Sequence, residues 1–489
     1  MFNSNLTLRN YKRIRTKYST QIEERMFDPN GFMEDMKPFF ADRERKYLAY
    51  TSEKNEIDDR QPPKTKIIKV NNKIHAGMFN VVVDQAVNHF VGKPVKLDYD
   101  VTTKQRNLLQ KMKDRLVGNL IDSPATPKEF EEFNSKVESM RFNMLNPDTA
   151  TFQGACGVAF RLIEPKKVGK SWELWASNIE PWRAEKYENG AIYIKEKYDP
   201  YIKKYYDEMI LVTEGTIYTY NQYVETTVPY LTAAFKKMEE VPNPLGVIYL
   251  SEFKNNTNRY CDFEVAEEIG DALDRTFSDQ QNEIEQFKLA YMLITGTTLG
   301  KTEAKEMMES LGIINLKDPS AKAEYVTKDL FKDFNEFHID LLKKQFYTIC
   351  KAIDFNDEVF KSNSSGEARK WQIITLEAKT NTKEQYFTEG LKECSETIAA
   401  FMEQIEKVKI DPSKVIYTFT RSLPTDLSYL SESLPKLAPY VSKRTIQSQI
   451  PFVTDVDYEN EMIDAESGES YPSGEYPARK GGVVTDDES

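Results

Sequence analysis

From Phe263 to Phe287 the residues Phe263, Ala266, Ile269, Leu273, Phe277, Ile284 and Phe287 recur at steps of three and four, a narrow apolar seam interrupted only around Gln280 and Gln281. A helix of this length spans about 37 Å at about 1.5 Å per residue, so the fold has to be arranged around a rod as long as a small domain is wide. The other side of the rod is acidic, with Glu264, Glu267, Glu268, Asp271, Asp274, Asp279, Glu283 and Glu285 set against Arg275 alone. Taken by themselves such acids are a solvated helix face. A second stripe, Leu330, Phe334, Phe337, Leu341 and Ile349, marks another long helix over Lys328 to Asp354, in which five bases balance five acids.

The rest of the chain divides by hydrophobic period. Ile74, Met78, Val81, Val82, Gln85, Val87 and Phe90 form a broad helical face that Gly92 and Pro94 terminate. Residues 104 to 117 read as a second helix, and Thr126 (cap), Pro127 (first turn) and Glu129 (box) open a third. From Gly157 the pattern alternates (Val158, Phe160, Leu162, then Trp172 and Leu174, then Ile192 and Ile194), and Asn189-Gly190 predicts a type I′ hairpin turn, so residues 157 to 225 are antiparallel sheet. Between the long helices, Leu289 to Thr295 and Ile313 to Leu316 read as strands around a helix from Thr302 to Leu311. The connection Gly296-Thr297-Thr298-Leu299-Gly300-Lys301-Thr302 imitates a phosphate-binding loop but has three residues between its glycines where that loop needs four. A turn in a small α/β lobe is the better reading.

Composition excludes more than it identifies. At 489 residues the chain exceeds one simple core, so two to four lobes are expected. No run of 18 apolar residues occurs and the N-terminus lacks a signal-peptide layout, which predicts a soluble cytoplasmic product without a membrane contact. Cys156, Cys261, Cys350 and Cys394 lie far apart, as reduced structural thiols do. His75, His89 and His338 are expected on amphipathic helices as packing or surface residues rather than ligands. No spacing of acids and no Ser or Cys pairing marks a catalytic site, so neither an enzyme nor a cofactor is predicted. Of the net charge of -12, residues 455 to 489 carry -9 and the preceding chain only -3; this acidic, weakly hydrophobic tail is expected to be solvated.

The segment Lys361-Ser-Asn-Ser-Ser-Gly-Glu367 runs a small polar loop into a long helix, where Ser364 and Glu367 can form a capping box. Asn363 to Ala368, then Leu376 to Lys379 and Phe387 to Leu391, resemble the tunnel loop and following helix of portal proteins of tailed double-stranded DNA bacteriophages, siphophage type. Three more segments resemble that family in the same order: Asn71 to His75 with Val82 to Gln85 and Val91-Gly92-Lys93-Pro94-Val95; Glu252 to Asn256 before the first long helix; and Ile416 to Arg421 followed by Gln449 to Val453.

The resemblance implies an α+β portal fold. It implies an N-terminal arm and α/β wing over residues 1–250, a first stem helix over 251–287, a small α/β clip over 288–327 and a second stem helix over 328–354. A tunnel loop over 355–366, a long tunnel helix over 367–410, a wing strand over 411–426, helical crown segments over 427–465 and a disordered acidic tail over 466–489 complete it. It further implies a ring-shaped homo-oligomer, a dodecamer, at one capsid vertex, through which DNA is packaged and ejected without sequence specificity. The implied partners are the terminase motor, the major capsid and scaffolding proteins and the head-completion adaptors. On this reading Phe360, Lys361, Ser362, Asn363, Ser364 and Ser365 form the loop that meets DNA, and Glu264, Glu267, Glu268, Asp271 and Asp274 are candidates for an acidic stem lumen. The alternatives are a nucleotide-driven DNA motor resting on Gly296 to Thr302, or a non-ring cytosolic scaffold.

Overall fold

The computed structural model describes residues 7–62, 70–100, 127–169, 171–201, 203–222, 234–287, 291–295, 302, 322–326, 332–355 and 366–421, with parts of 434–463. The helix expected at 104–117, most of the Thr302 to Leu311 helix, the strand at Ile313 to Leu316, the tunnel-loop residues Phe360 to Ser365 and the acidic tail lie outside the described residues. So does the phosphate-loop mimic apart from Thr302.

The helices are α1 (Leu8–Glu23), α2 (Pro29–Tyr50), α3 (Met78–Val91), α4 (Lys128–Ser139), α5 (Phe142–Cys156), α6 (Glu267–Phe287), α7 (Lys332–Cys350), α8 (Gly366–Phe401) and, in a separate C-terminal unit from Leu423, α9 (Lys443–Ser448). The strands are β1 (Lys96–Tyr99), β2 (Val158–Val168), β3 (Ser171–Ile179), β4 (Ala184–Lys186), β5 (Ala191–Asp199), β6 (Lys204–Val212), β7 (Thr216–Gln222), β8 (Phe235–Pro242), β9 (Leu250–Lys254), β10 (Tyr291–Thr295), β11 (Lys322–Val326) and β12 (Val415–Thr418). This is an α+β chain. All the described pairings are antiparallel: a three-stranded sheet β3-β2-β9, a five-stranded meander β4-β5-β6-β7-β8, and the pairs β10-β11 and β1-β12.

Several local expectations are corrected. Helix α3 starts at Met78 instead of Ile74, because the amides of Ile74 and Ala76 donate to Ser278 Oγ (2.9 Å) and Asp274 Oδ1 (2.7 Å) and so bind this stretch, extended, to α6. His75 therefore precedes the helix. Helix α6 begins at Glu267, and Phe263 to Ala266 form turns that lead into it. Pro127 occupies the N-cap position of α4 rather than its first turn, and among the described residues no side chain caps that helix. The Asn189-Gly190 hairpin exists, but Tyr187 N–H donates to Gly190 O at 2.7 Å and neither Asn189 nor Gly190 has a positive φ, so the turn is not type I′. Strand β12 does not join either larger sheet; it pairs with β1 in the register Lys96 to Thr418. The partner of β10 is β11, which period analysis did not mark.

Three hydrophobic clusters hold these elements. The largest joins α3, α4, α5, α6, α7, α8, β2 and β9 around Phe90, Phe253, Phe263, Phe346 and Phe387. A second packs α1 and α2 on the five-stranded sheet through Tyr11, Tyr18, Phe32, Met36, Ile192 and Met209, and a third lies between β2, β9 and the five-stranded sheet. Helix α1 is pinned by the fully buried Glu185, which accepts from Tyr11 Oη (2.7 Å) and Arg43 Nη2 (2.9 Å) and pairs with Arg15.

The contact of α6 with α3 depends on a glycine. The Phe79 ring packs, tilted, with its centroid 4.6 Å from that of Phe263 and 6.0 Å from that of Phe346, and it lies where a side chain at Gly270 would be: a Cβ there would fall 2.4 Å from Phe79 Cε1. Gly270→Ala is therefore expected to destabilise the subunit by about 1–3 kcal/mol, as overpacking of a full core does, and Phe79→Leu in the same chain should return part of the loss. Denaturant unfolding of the two variants checks this; an unchanged midpoint for Gly270→Ala would contradict it.

Candidate functional site

The elements expected to form the DNA-facing region are α6, α7 and α8, and they converge on one carboxylate. Asp262, in the turn that leads into α6, is almost wholly out of water. Its carboxylate accepts from Lys383 Nζ at 2.7 Å and from Asn255 Nδ2 at 3.0 Å, and lies 3.3 Å from Lys379 Nζ. Lys379 also donates to the carbonyl of Cys350, the last residue of α7, at 3.0 Å, where a cation meets the negative end of the helix dipole. One carboxylate and two lysines a turn apart on α8 thus tie together the start of α6, the end of α7 and the middle of α8. Burial alone would push the Asp262 carboxyl up, but Lys379 and Lys383 outweigh it and hold it below the usual carboxylate range. The Asp262 amide donates to Gly154 O at 2.7 Å, and a Cβ at Gly154 would lie 2.8 Å from Asp262 Oδ2, so the approach of α5 to this cluster requires glycine.

Beside this cluster on α8, Glu377 lies 2.7 Å from His89 Nε2 of α3 and accepts from Arg421 Nε at 3.0 Å, while Arg421 Nη1 lies 2.7 Å from Glu384. Among the described side chains of α8, Leu376 is the first that is buried, and Ile374 before it is 51% exposed. The helix runs 36 residues and passes into a π-turn, Met402–Glu406. The cap proposed for its start rests on Ser364, outside the described residues.

The five candidate lumen acids have different surroundings. Glu264 accepts from Lys46 Nζ at 2.8 and 2.9 Å, and Glu267 pairs with Arg45, both cations coming from α2. Asp274 is 2% exposed and accepts from Asn55 Nδ2 and Ala76 N–H, each at 2.7 Å. Asp271 is half-buried beside Glu56, and burial, then Glu56, push its carboxyl up to about 7. Only Glu268 is exposed and without a described partner. Asp279 pairs with Arg60 and Arg275 with Glu56. Three of the eight acids counted along this face, Glu264, Glu267 and Asp279, are thus matched by cations that the fold brings from residues 45–60, which a count along one helix does not see. It is not one continuous solvated face.

The stripe read on α7 also has a different role from the one its period suggests. The buried side of α7 is Ile339, Phe346 and Cys350; the four described stripe residues, Phe334 (66% exposed), Phe337 (65%), Leu341 (43%) and Ile349 (38%), face away from the subunit. Phe334 stacks on His338 along the same exposed face, with centroids 6.2 Å apart. Sequence reading missed Asp262, Lys379, Lys383 and Lys46; the only available signal was the pair of lysines four apart on one helix. All four cysteines are buried and unpaired. Among the described residues no His, Cys, Asp and Glu group is suited to a metal ion, and no helix is long and apolar enough to cross a membrane.

Long helices clamped at one buried carboxylate beside antiparallel sheets define the class: an α+β subunit. The phage portal protein family, SPP1 Gp6-like, matches residues 41–472, and the chain belongs to that family. No curated protein sequence matches it. All four segments on which the resemblance was drawn fall within the matched span, whereas α1 and the first half of α2 precede it. Membership gives the protein a phage head portal role, at the capsid vertex of the virion.

The Asp271 carboxyl supplies a test of this geometry. Its folded value of about 7 lies above the ordinary 3.8, so between about pH 4 and 7 the native state keeps a proton that the unfolded chain releases, and stability falls as pH rises through that window. Thermal unfolding is expected to show a lower Tm at pH 8 than at pH 5, and Asp271→Asn should remove most of the difference. An equal pH dependence in the variant would contradict the Glu56–Asp271 contact.

Proposed function

We propose that the subunit closes into a ring, a dodecamer by family resemblance, whose central channel passes double-stranded DNA into the capsid during packaging and out during ejection. The observation that carries this reading is the exposed stripe Phe334, Phe337, Leu341 and Ile349 on α7, in a chain that belongs to the portal family. Large apolar residues grouped on one face of a helix need a cover, and a surface that meets a different surface on the next copy generates a ring when the rotation closes. On this reading α6 and α7 are the stem, residues 288–327 with β10 and β11 the clip, α8 the tunnel helix, residues 1–250 the arm and wing, and 427–465 the crown. Strand β12 supports the wing through β1 rather than through the larger sheets. The clip docks the terminase motor and later the head-completion adaptors, and the wing faces the major capsid and scaffolding proteins.

A conduit must not hold what moves through it. Each phosphate neutralised by a protein cation releases counterions and raises affinity, which acts as a brake. Of the five acids first considered, Glu268 is the one free to present negative charge to a lumen. Glu264 and Glu267 are matched by α2, Asp274 is buried, and Asp271 shares its surroundings with Glu56. Contact with DNA is assigned to residues 355–366, where Lys361 supplies the one cation, next to the small residues Ser362 to Gly366.

Two variants separate assembly from transport. Phe334→Ser with Phe337→Ser is expected to leave a folded monomer in light scattering, since truncating a buried interface aromatic costs about 2 kcal/mol or more per subunit contact. Lys361→Glu, or removal of Ser362 to Ser365, should leave rings intact and reduce packaged DNA in an in vitro packaging assay. Rings from the first variant would remove α7 from the interface, and full packaging by the second would remove the loop from the channel.

A further inference from the structure

In a chain of net charge -12, helix α1 carries Arg9, Lys12, Arg13, Arg15 and Lys17 with no acid until Glu23, its last residue. The fold uses two of these cations internally. Arg15 pairs with the buried Glu185, and Lys17 donates to Asp35 of α2 at 2.7 Å. Arg9, Lys12 and Arg13 are exposed and have no acid within ion-pair distance among the described residues. They are not scattered: at about 100° per residue, positions 9, 12, 13, 16 and 20 fall on one face, opposite the buried Tyr11, Tyr18 and Ile22. Thr16 and Thr20, also exposed, continue that face. Glu34 and Asp35 of α2 border the groove beside Arg13 and Lys17, and Asp35 is already engaged by Lys17 and Tyr18.

We propose that the outward face of α1, centred on Arg9, Lys12 and Arg13, binds the phosphate backbone of a nucleic-acid duplex. Two observations favour this partner over an acidic protein. The face has no apolar anchor: among the described residues no large hydrophobic side chain from Leu8 to Glu23 is exposed, whereas protein interfaces concentrate their affinity in buried aromatic and aliphatic side chains. The three cations lie within about 6 Å along the helix axis, a density suited to a duplex that presents one charge per about 1.7 Å. Helix α1 also lies outside the span matched by the portal family. It is separate from the channel contact and does not depend on it, because α1 is fixed to the five-stranded sheet through Glu185 and not to α6, α7 or α8.

The test uses the full-length protein and a 30-base-pair duplex blocked at both ends with streptavidin, so that it cannot thread a channel, with affinity measured at several salt concentrations. The wild type is expected to bind with an affinity that falls as salt rises. The triple variant Arg9→Gln, Lys12→Gln, Arg13→Gln, with unchanged circular dichroism, should flatten the slope of log K against log salt by about 2.7, at about 0.9 per lost phosphate contact. Lys17→Gln should leave the slope nearly unchanged because Lys17 is held by Asp35. No binding by the wild type, or the same slope in the triple variant, would overturn the proposal. Tighter binding of poly-glutamate than of the blocked duplex would also overturn it, in favour of an acidic protein partner.

Discussion

The Asp262 carboxylate is the interaction on which the arrangement of the long helices depends. Lys379 and Lys383 reach it from one face of α8, and the same Lys379 closes the end of α7. Removing one partner from such a buried set costs about 3–5 kcal/mol because the remaining charge is stranded, so the crossing of α6, α7 and α8 is fixed here more firmly than by apolar contact alone. Hydrophobic packing is non-directional and would tolerate sliding of one helix along another; a carboxylate between two ammonium groups does not. The His89, Glu377 and Arg421 contacts fix α8 a second time, against α3 and the chain after β12. The described anchoring of α8 is therefore concentrated from Leu376 onward, on the side away from the loop that precedes it.

What could be read from the sequence follows from which forces are local. Helical and alternating periods are local, and they located α3, α6, α7 and the sheet over residues 157–225, while α8 was marked by the polar segment before it and by the family resemblance. Boundaries failed where a distant group competed for the backbone: Asp274 and Ser278 take the amides that would have extended α3 toward Ile74. The sheet partners of β10 and β12 were not legible because strand pairing is a long-range choice among similar edges. A period also cannot say which apolar face is inside. On α7 the stripe Phe334, Phe337 and Leu341 is exposed, and the buried residues Ile339, Phe346 and Cys350, at steps of seven and four, lie on the opposite face.

The candidate site shows the same division more sharply. The acids of α6 were visible in the sequence, but the cations that answer them, Arg45, Lys46 and Arg60, come from more than 200 residues earlier in the chain. Only the fold determines that Glu264 and Glu267 are spent within the subunit and that Glu268 is left exposed. The family, in contrast, was legible over most of the chain, because the motifs that carry it are short, ordered and spread from Asn71 to Val453, and the match over residues 41–472 covers them all.

Electron cryo-microscopy of the purified protein tests the central claim most directly. The account predicts closed rings with a central hole wide enough for a DNA duplex, in which α7 of each subunit covers its Phe334, Phe337 and Leu341 against the next. Compact monomers or dimers without a channel, or rings in which that stripe remains in solvent, would contradict it.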